Sequence, residues 1–423
     1  MKEEFLYYVW QYQLFSSVKL FTVNNVEVIV KKVGERNFNS GPDFLNAQLV
    51  IDQQLWVGNV EIHVTSSDWY AHNHENDSNY DAVILHVVWE HDATVFMKNN
   101  QPLPTLVLKD FVAKEVFENY QKLHLHKTQF IPCENQIGSV NDFIVINWLE
   151  RLYFERLEQK STVIHKLLQE TNSDYEAVLF YLLAKNFGLK INGDAFFKLA
   201  TSMDFSIVRK VSDNESTLMA LLFGQAGFLE EEKALNYYKK LQSEYNYVKH
   251  KYQLKPISKN HFQFFRMRPQ NFPTIRIAQL GALYVKHQQL FSKILSISKK
   301  DDFYKLFSVS VNDFWKTHYT FDSTSKKSAK KLSKSFIDLI LINTIIPLQF
   351  VYLQNRGEAF EESILHLIQQ ISAEKNSIIS NFSSLKIDAK NAQESQALLE
   401  LKNNYCTKKR CLQCAIGNAL LKK

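Results

Sequence analysis

At 423 residues, 45% hydrophobic and 13% aromatic, the chain is long enough for two or three domains with well-buried cores. Apolar residues nowhere run uninterrupted for about 18 positions, and Met1-Lys2-Glu3-Glu4 opens straight into an amphipathic segment. No membrane association and no secretory leader are therefore expected, and the location reads as cytoplasmic. The net charge of +6 hides a division: residues 1–125 hold nine Lys and Arg against sixteen Asp and Glu, so the remainder is strongly basic. Clustered carboxylates attract divalent cations and a basic surface attracts phosphate backbones, unless both are simply solvated faces.

Residues 3–14 carry Phe5, Val9 and Leu14 at helical spacing and predict a first helix. The period then changes to two, and residues 26–33, 45–51, 55–64 and 83–89 read as strands separated by polar turns such as Asp52-Gln53-Gln54. The order is helix, three strands, a polar helical or looped insert, and a buried strand. Pro102 and Pro104 flank a short extended piece, and residues 127–141, with Pro132 and Gly138, read as a linker. Beyond it the chain turns helical. Asn141 or Asp142 can cap the first of these helices, and Ser173-x-x-Glu176 is a capping-box pattern for the next. Further helices are expected at 214–223, 229–252, 277–297, 335–354, 357–382 and 391–404. The fold class is α+β: a mixed α/β domain over residues 1–126, the linker 127–141, an all-α domain over 142–404, and a Cys-rich segment 405–423 packing back on Cys133. The lysine-rich stretch 326–334 reads as a solvated loop more readily than as a binding site.

The chemistry concentrates in residues 41–91, which hold Pro42-Asp43, Glu61-Ile62-His63, His72, His74, His86 and His91. On a strand Glu61 and His63 share one face while Ile62 turns to the other. With Asp43 beside them, two carboxylates and one imidazole converge, enough for a Mg2+ or Mn2+ ion bound by Asp43 and Glu61. Such an ion activates a water for attack on a phosphodiester. Pro42-Asp43 followed by Glu61-Ile62-His63, in a helix-strand-strand-strand setting, resembles the PD-(D/E)xK nuclease superfamily. The resemblance implies a nuclease-like core with Asp43, Glu61 and His63 as catalytic residues, His63 standing where that superfamily most often has lysine. It also allows Glu3 or Glu4 to supply a further carboxylate.

His72-x-His74 could bind zinc or iron with Asp77 or His86, or line the substrate path, whereas His86 within an apolar strand reads as a core histidine. Ser66 and Ser67 either cap a short helix or bind phosphate oxygens. Arg266, Arg268 and Arg276 lie among Phe and Pro residues; they either clamp phosphate or pair with carboxylates such as Glu215, Glu150 or Glu155.

Three of the four cysteines fall together as Cys406-x4-Cys411-x2-Cys414, with Cys133 remote. Four thiolates would satisfy Zn2+ or a [4Fe-4S] cluster; free thiols are the alternative. Some helicase-associated and CRISPR-associated nucleases are similar in having an iron-sulfur staple of one remote and three clustered cysteines. The run from Gly41-Pro42-Asp43-Phe44 through Gly58 to His63, Ser66 to Trp69, Pro132-Cys133-Glu134-Asn135, Leu222 to Gly227, Arg268 to Arg276 and Cys406 to Gly417 resembles the family of domain of unknown function 2851, which implies no activity. The expected function is a divalent-metal-dependent nuclease, or a nuclease-derived protein that processes nucleic acid. Its alternative is a non-enzymatic scaffold binding nucleic acid or protein, held by structural zinc.

Overall fold

The computed structural model describes residues 2–15, 19–125, 129–359 and 361–422. The architecture is α+β, an N-terminal sheet followed by a large helical region. The chain divides into two compact units: Met1–Leu149 with Asn381–Ile387 and Leu399–Lys423, and Glu150–Ser380 with Asp388–Leu398. The C-terminal cysteine segment thus belongs to the unit that contains Cys133.

In the first unit, helix α1 (Glu3–Gln11) buries Phe5, Leu6, Val9 and Trp10. It stops short of the expected residue 14 because Gln13 adopts a left-handed φ of 49°. The sheet contains β1 (Leu20–Phe21), β2 (Glu27–Lys32), β3 (Glu35–Arg36), β4 (Phe44–Ile51), β5 (Gln54–Thr65), β6 (Val83–Glu90) and β7 (Thr105–Val107). Its order is β1-β2-β4-β5-β6-β7, with β3 also paired to β4. The alternating segments are the strands, as expected; the two- and three-residue strands β1, β3 and β7 carry too few positions to show a period. β4 and β5 pair antiparallel through the turn Asp52-Gln53, both with positive φ, so only two residues separate Ile51 from its partner Gln54. β5 and β6 are parallel, which forces a crossover. That crossover is the polar insert: helix α2 (Asp68–Ala71) and two short 3₁₀ turns, His74–Asn76 and Ser78–Tyr80.

Helix α3 (Lys114–Leu125) follows β7, and Phe5 stacks on its Tyr120 at 4.3 Å between ring centroids. Residues 126–128, where the first domain was expected to pass into a linker, lie outside the described residues. The rest of the expected linker is part of the first unit's interior: Ile131, Cys133, Ile137 and Val140 are buried. Helix α4 (Asp142–Glu170) begins where Asn141 Oδ1 accepts the Phe143 N–H at 2.8 Å.

The second unit is helical, and several expected helices are broken. The predicted cap at Ser173 moves one residue: Asp174 accepts the Ala177 N–H at 3.1 Å, while Glu176 accepts the Phe291 N–H at 2.9 Å. The span 229–252 is helical only from Asn236, 277–297 is two helices, Pro273–Lys286 and Leu290–Leu295, and 357–382 resolves into Glu361–Gln369 and Ser377–Ser384. Lys334–Ile340 widens into a π-turn, Leu341–Ile345, just before Pro347, which has no N–H to donate. The continuous helix Lys334–Arg356 is long and apolar enough to cross a membrane, with mean hydropathy 1.9; 72% of that apolar window is buried, the pattern of a core helix. Within 326–334, Lys330 is buried, not solvated, donating to the carbonyls of Trp315 and His318 and to Ser325 Oγ. Gly224 lies against the face of the Tyr245 ring, where a Cβ would collide, and Gln225 bonds Ser202 and Lys255, so that motif is structural.

Candidate metal centre

Glu61 and His63 lie on β5, and the crossover brings His72 and His74 back over them. The ligand atoms of His63, His72 and His74 all lie within 4.8 Å of one another. His63 Nε2 is 3.1 Å from His72 Nδ1 and 3.5 Å from Glu61 Oε1, and His74 Nε2 is 3.4 Å from that same oxygen. Two nitrogens each roughly 2.0–2.1 Å from a tetrahedral ion stand about 3.4 Å apart, so these spacings are compatible with a ligand set as well as with direct hydrogen bonds. His63 and Glu61 are buried, His74 is partly covered and His72 is exposed, which leaves an open side.

The rings are held from behind. His63 Nδ1 lies 2.9 Å from Nε2 of fully buried His86, fixing Nε2 toward the other imidazoles. Tyr80 stacks on His74 with centroids 3.8 Å apart, and Trp69 meets it edge-on. His86 was expected as a core histidine, and it is one, but its ring nitrogen serves the cluster.

Asp43, expected as a ligand with Glu61, is bonded through both carboxylate oxygens and its N–H. Its Oδ1 accepts from Arg36 Nη1 at 2.9 Å and its Oδ2 from the Ile62 N–H at 3.1 Å, so both oxygens are engaged. Its own N–H donates to Glu61 Oε2 at 3.0 Å, which orients the Glu61 carboxyl and leaves Oε1 facing the histidines. Arg36, on two-residue β3, carries no sequence signal; its guanidinium also lies 3.6 Å over the Tyr7 ring. Tyr7 in turn donates to Glu3 Oε2 at 3.0 Å, and Glu3 is close enough to Asp43 and His72 to feel both charges.

Burial and the Asp43 charge push the Glu61 carboxyl up to about 9. Burial, with His74 and His72 beside it, lowers His63 to about 3, and burial also lowers His74. Burial thus favours the neutral imidazole at His63, the form that ligates a metal. Arg36 offsets Asp43, and a neutral carboxyl among neutral imidazoles is a site to which a cation brings the missing charge.

The remaining expected residues separate. Ser66 Oγ donates to Asp92 Oδ1 at 2.9 Å, and Ser67 donates to the same carboxylate through both its N–H and its Oγ. The serines are thus engaged by Asp92, which holds the start of the crossover. Arg266 and Arg268 are exposed, while Arg276 is buried, lies 3.7 Å over the Phe336 ring and donates to Asn271 and Gln279. Its partners are amides rather than the expected carboxylates. Cys133, Cys406, Cys411 and Cys414 are all free and line one cavity.

Neither the curated proteins nor the solved structures contain a match to this chain. The family described as "Protein of unknown function (DUF2851)" matches residues 3–377, a span that includes the whole histidine cluster and ends before the three clustered cysteines, and the chain belongs to that family.

Proposed function

We propose that the protein is a divalent-metal-dependent hydrolase acting on phosphodiesters of nucleic acid, with His63, His72 and His74 as ligands and Glu61 beside them. The observation that carries this reading is the Glu61 Oε1 oxygen, 3.4 and 3.5 Å from two of the three clustered imidazoles and oriented by the Asp43 N–H. Three imidazoles and a carboxylate suit Mn2+, Fe2+ or Zn2+ better than Mg2+. The ion would polarise a phosphoryl oxygen and lower the pKa of a bound water. Glu61, ionised once a cation is present, would accept the water proton and return it to the leaving oxygen as the hydroxide adds to phosphorus and the P–O bond to that oxygen breaks. Support for a nuclease-like core comes from the element order, a helix and antiparallel strands before a crossover to a parallel strand. Support for a polyanionic substrate comes from the basic excess beyond residue 125.

A second reading, a binding scaffold on the same core, is favoured by Asp43 being tied to Arg36 and the Ile62 N–H rather than free to ligate. Incubating the purified chain with Mn2+ and fluorescently labelled DNA and RNA separates the two. Cleavage lost in both Glu61→Gln and a His72→Ala/His74→Ala double variant supports the hydrolase. Salt-sensitive binding without cleavage under Mn2+, Fe2+ or Zn2+ supports the scaffold.

A further inference from the structure

The four cysteines lie outside the histidine centre, and what they hold does not depend on it. Cys133 comes from the segment after α3, Cys406 ends a π-turn at Leu401–Cys406, and Cys411 and Cys414 bracket a 3₁₀ turn. All four line one small cavity, otherwise walled by apolar groups such as Ile131, Ile137, Leu401 and Ile416. No disulfide joins any of them.

Their spacing discriminates between occupants. Tetrahedral zinc with Zn–S bonds of roughly 2.3 Å requires its sulfurs about 3.8 Å apart. Among the described residues, the group of three placed to hold a single ion is His63, His72 and His74, and no cysteine triad stands beside it. A cubane cluster takes one thiolate at each of four separate irons and so accepts sulfurs spread around a cavity. A few neighbouring groups partly offset the burial that disfavours anionic sulfur. The main-chain N–H groups of Ile416 and Gly417 favour the Cys414 thiolate, against the larger effect of its burial. Lys402 and Lys409 bring positive charge to Cys406 and Cys411. Gly417 permits this closeness, because a Cβ there would collide with the Cys411 carbonyl.

We propose that Cys133, Cys406, Cys411 and Cys414 ligate a [4Fe-4S] cluster that staples the C-terminal segment to residues 131–137. Without it, burial and mutual repulsion hold the thiols protonated, with Cys133 and Cys411 pushed up to about 12. On transfer of a preformed cluster from a thiolate-ligated carrier, four cysteine S–H bonds break and four Fe–S(Cys) bonds form as the four Fe–S bonds to the carrier thiolates break; the four protons pass to those thiolates and no oxidation state changes.

The test is to purify the full chain without air, reconstitute it with ferric iron, sulfide and an excess of a dithiol that reduces half of the iron, and measure iron, acid-labile sulfide, zinc and the visible spectrum. The expected result is about four irons and four sulfides per chain at the cysteines, with thiolate-to-iron absorption near roughly 400 nm. Sulfide distinguishes cluster iron from any iron at the histidines: the His72→Ala/His74→Ala variant keeps it, and Cys133→Ser and Cys411→Ser lose it. One zinc per chain without sulfide, two irons with two sulfides, or sulfide content unchanged in the cysteine variants would each overturn the assignment.

Discussion

The Oε1 oxygen of Glu61 lies 3.4 Å from Nε2 of His74, although one is on strand β5 and the other in the crossover that leaves it. The pair exists because β5 and β6 run parallel: the connection has to return along the sheet, and it carries His72 and His74 with it. Chemistry at this site is therefore set by topology as much as by the strand that bears Glu61 and His63.

Arg36 is expected to hold the Asp43 end of the site. Replacing it with Met leaves a mostly buried carboxylate without its cation, a change that costs about 3 kcal/mol. Asp43→Asn in the same background removes the uncompensated charge and should recover part of that loss. Urea unfolding of the wild type, the two single variants and the double variant measures the coupling; additive effects would show that the pair does not act as a unit.

How much of this was legible follows from which residues carry a local pattern. Val28, Leu49 and Val60 follow polar neighbours at period two and Val83 to Trp89 is an apolar run, so the strands were readable, and Pro42-Asp43 with Glu61-x-His63 marked two adjacent strands. Arg36 was not readable, because a two-residue strand has no period and its partner Asp43 is found only once β3 pairs with β4. His72-x-His74 was visible as a spacing, but its convergence on His63 is a long-range consequence of the crossover. The partners of Asp43 were not readable either: Arg36 and the Ile62 N–H bond its two oxygens only once the strands are paired. In the helical unit, period 3.6 continues through π-turns and short breaks almost unchanged, so helix ends at Asn236 and Leu341 left little trace.

His86 is expected to act through His63 without touching the ion. His86→Leu removes the nitrogen 2.9 Å from His63 Nδ1 while keeping a side chain that fills the core. Metal affinity should fall roughly 10–100-fold with all ligands present. Titration monitored by calorimetry measures this, and unchanged affinity would show that the contact does not orient His63.

Glu61 gives the metal-free protein a definite pH dependence. Its folded value, up to about 9, exceeds the ordinary 4.5, so the folded state holds the proton more tightly and its contribution to stability is lost as pH rises between them. His63, lowered to about 3 from 6.5, works in the other direction: its contribution is lost as pH falls through that window. Thermal unfolding in chelator at pH 6 and pH 8.5 should therefore show lower stability at the higher pH. Glu61→Gln should flatten the difference, and saturating Mn2+ should remove it. A wild-type slope unchanged in Glu61→Gln would assign the effect to other groups.

Manganese binding is the most direct test of the centre, because a hard ion avoids the cysteine thiolates and reports on the histidines and Glu61. Calorimetric titration of the metal-free chain should give one Mn2+ per chain, with affinity lowered at least about 100-fold in His72→Ala/His74→Ala and retained in Cys411→Ser. Equal affinity in the wild type and the histidine double variant would contradict the account.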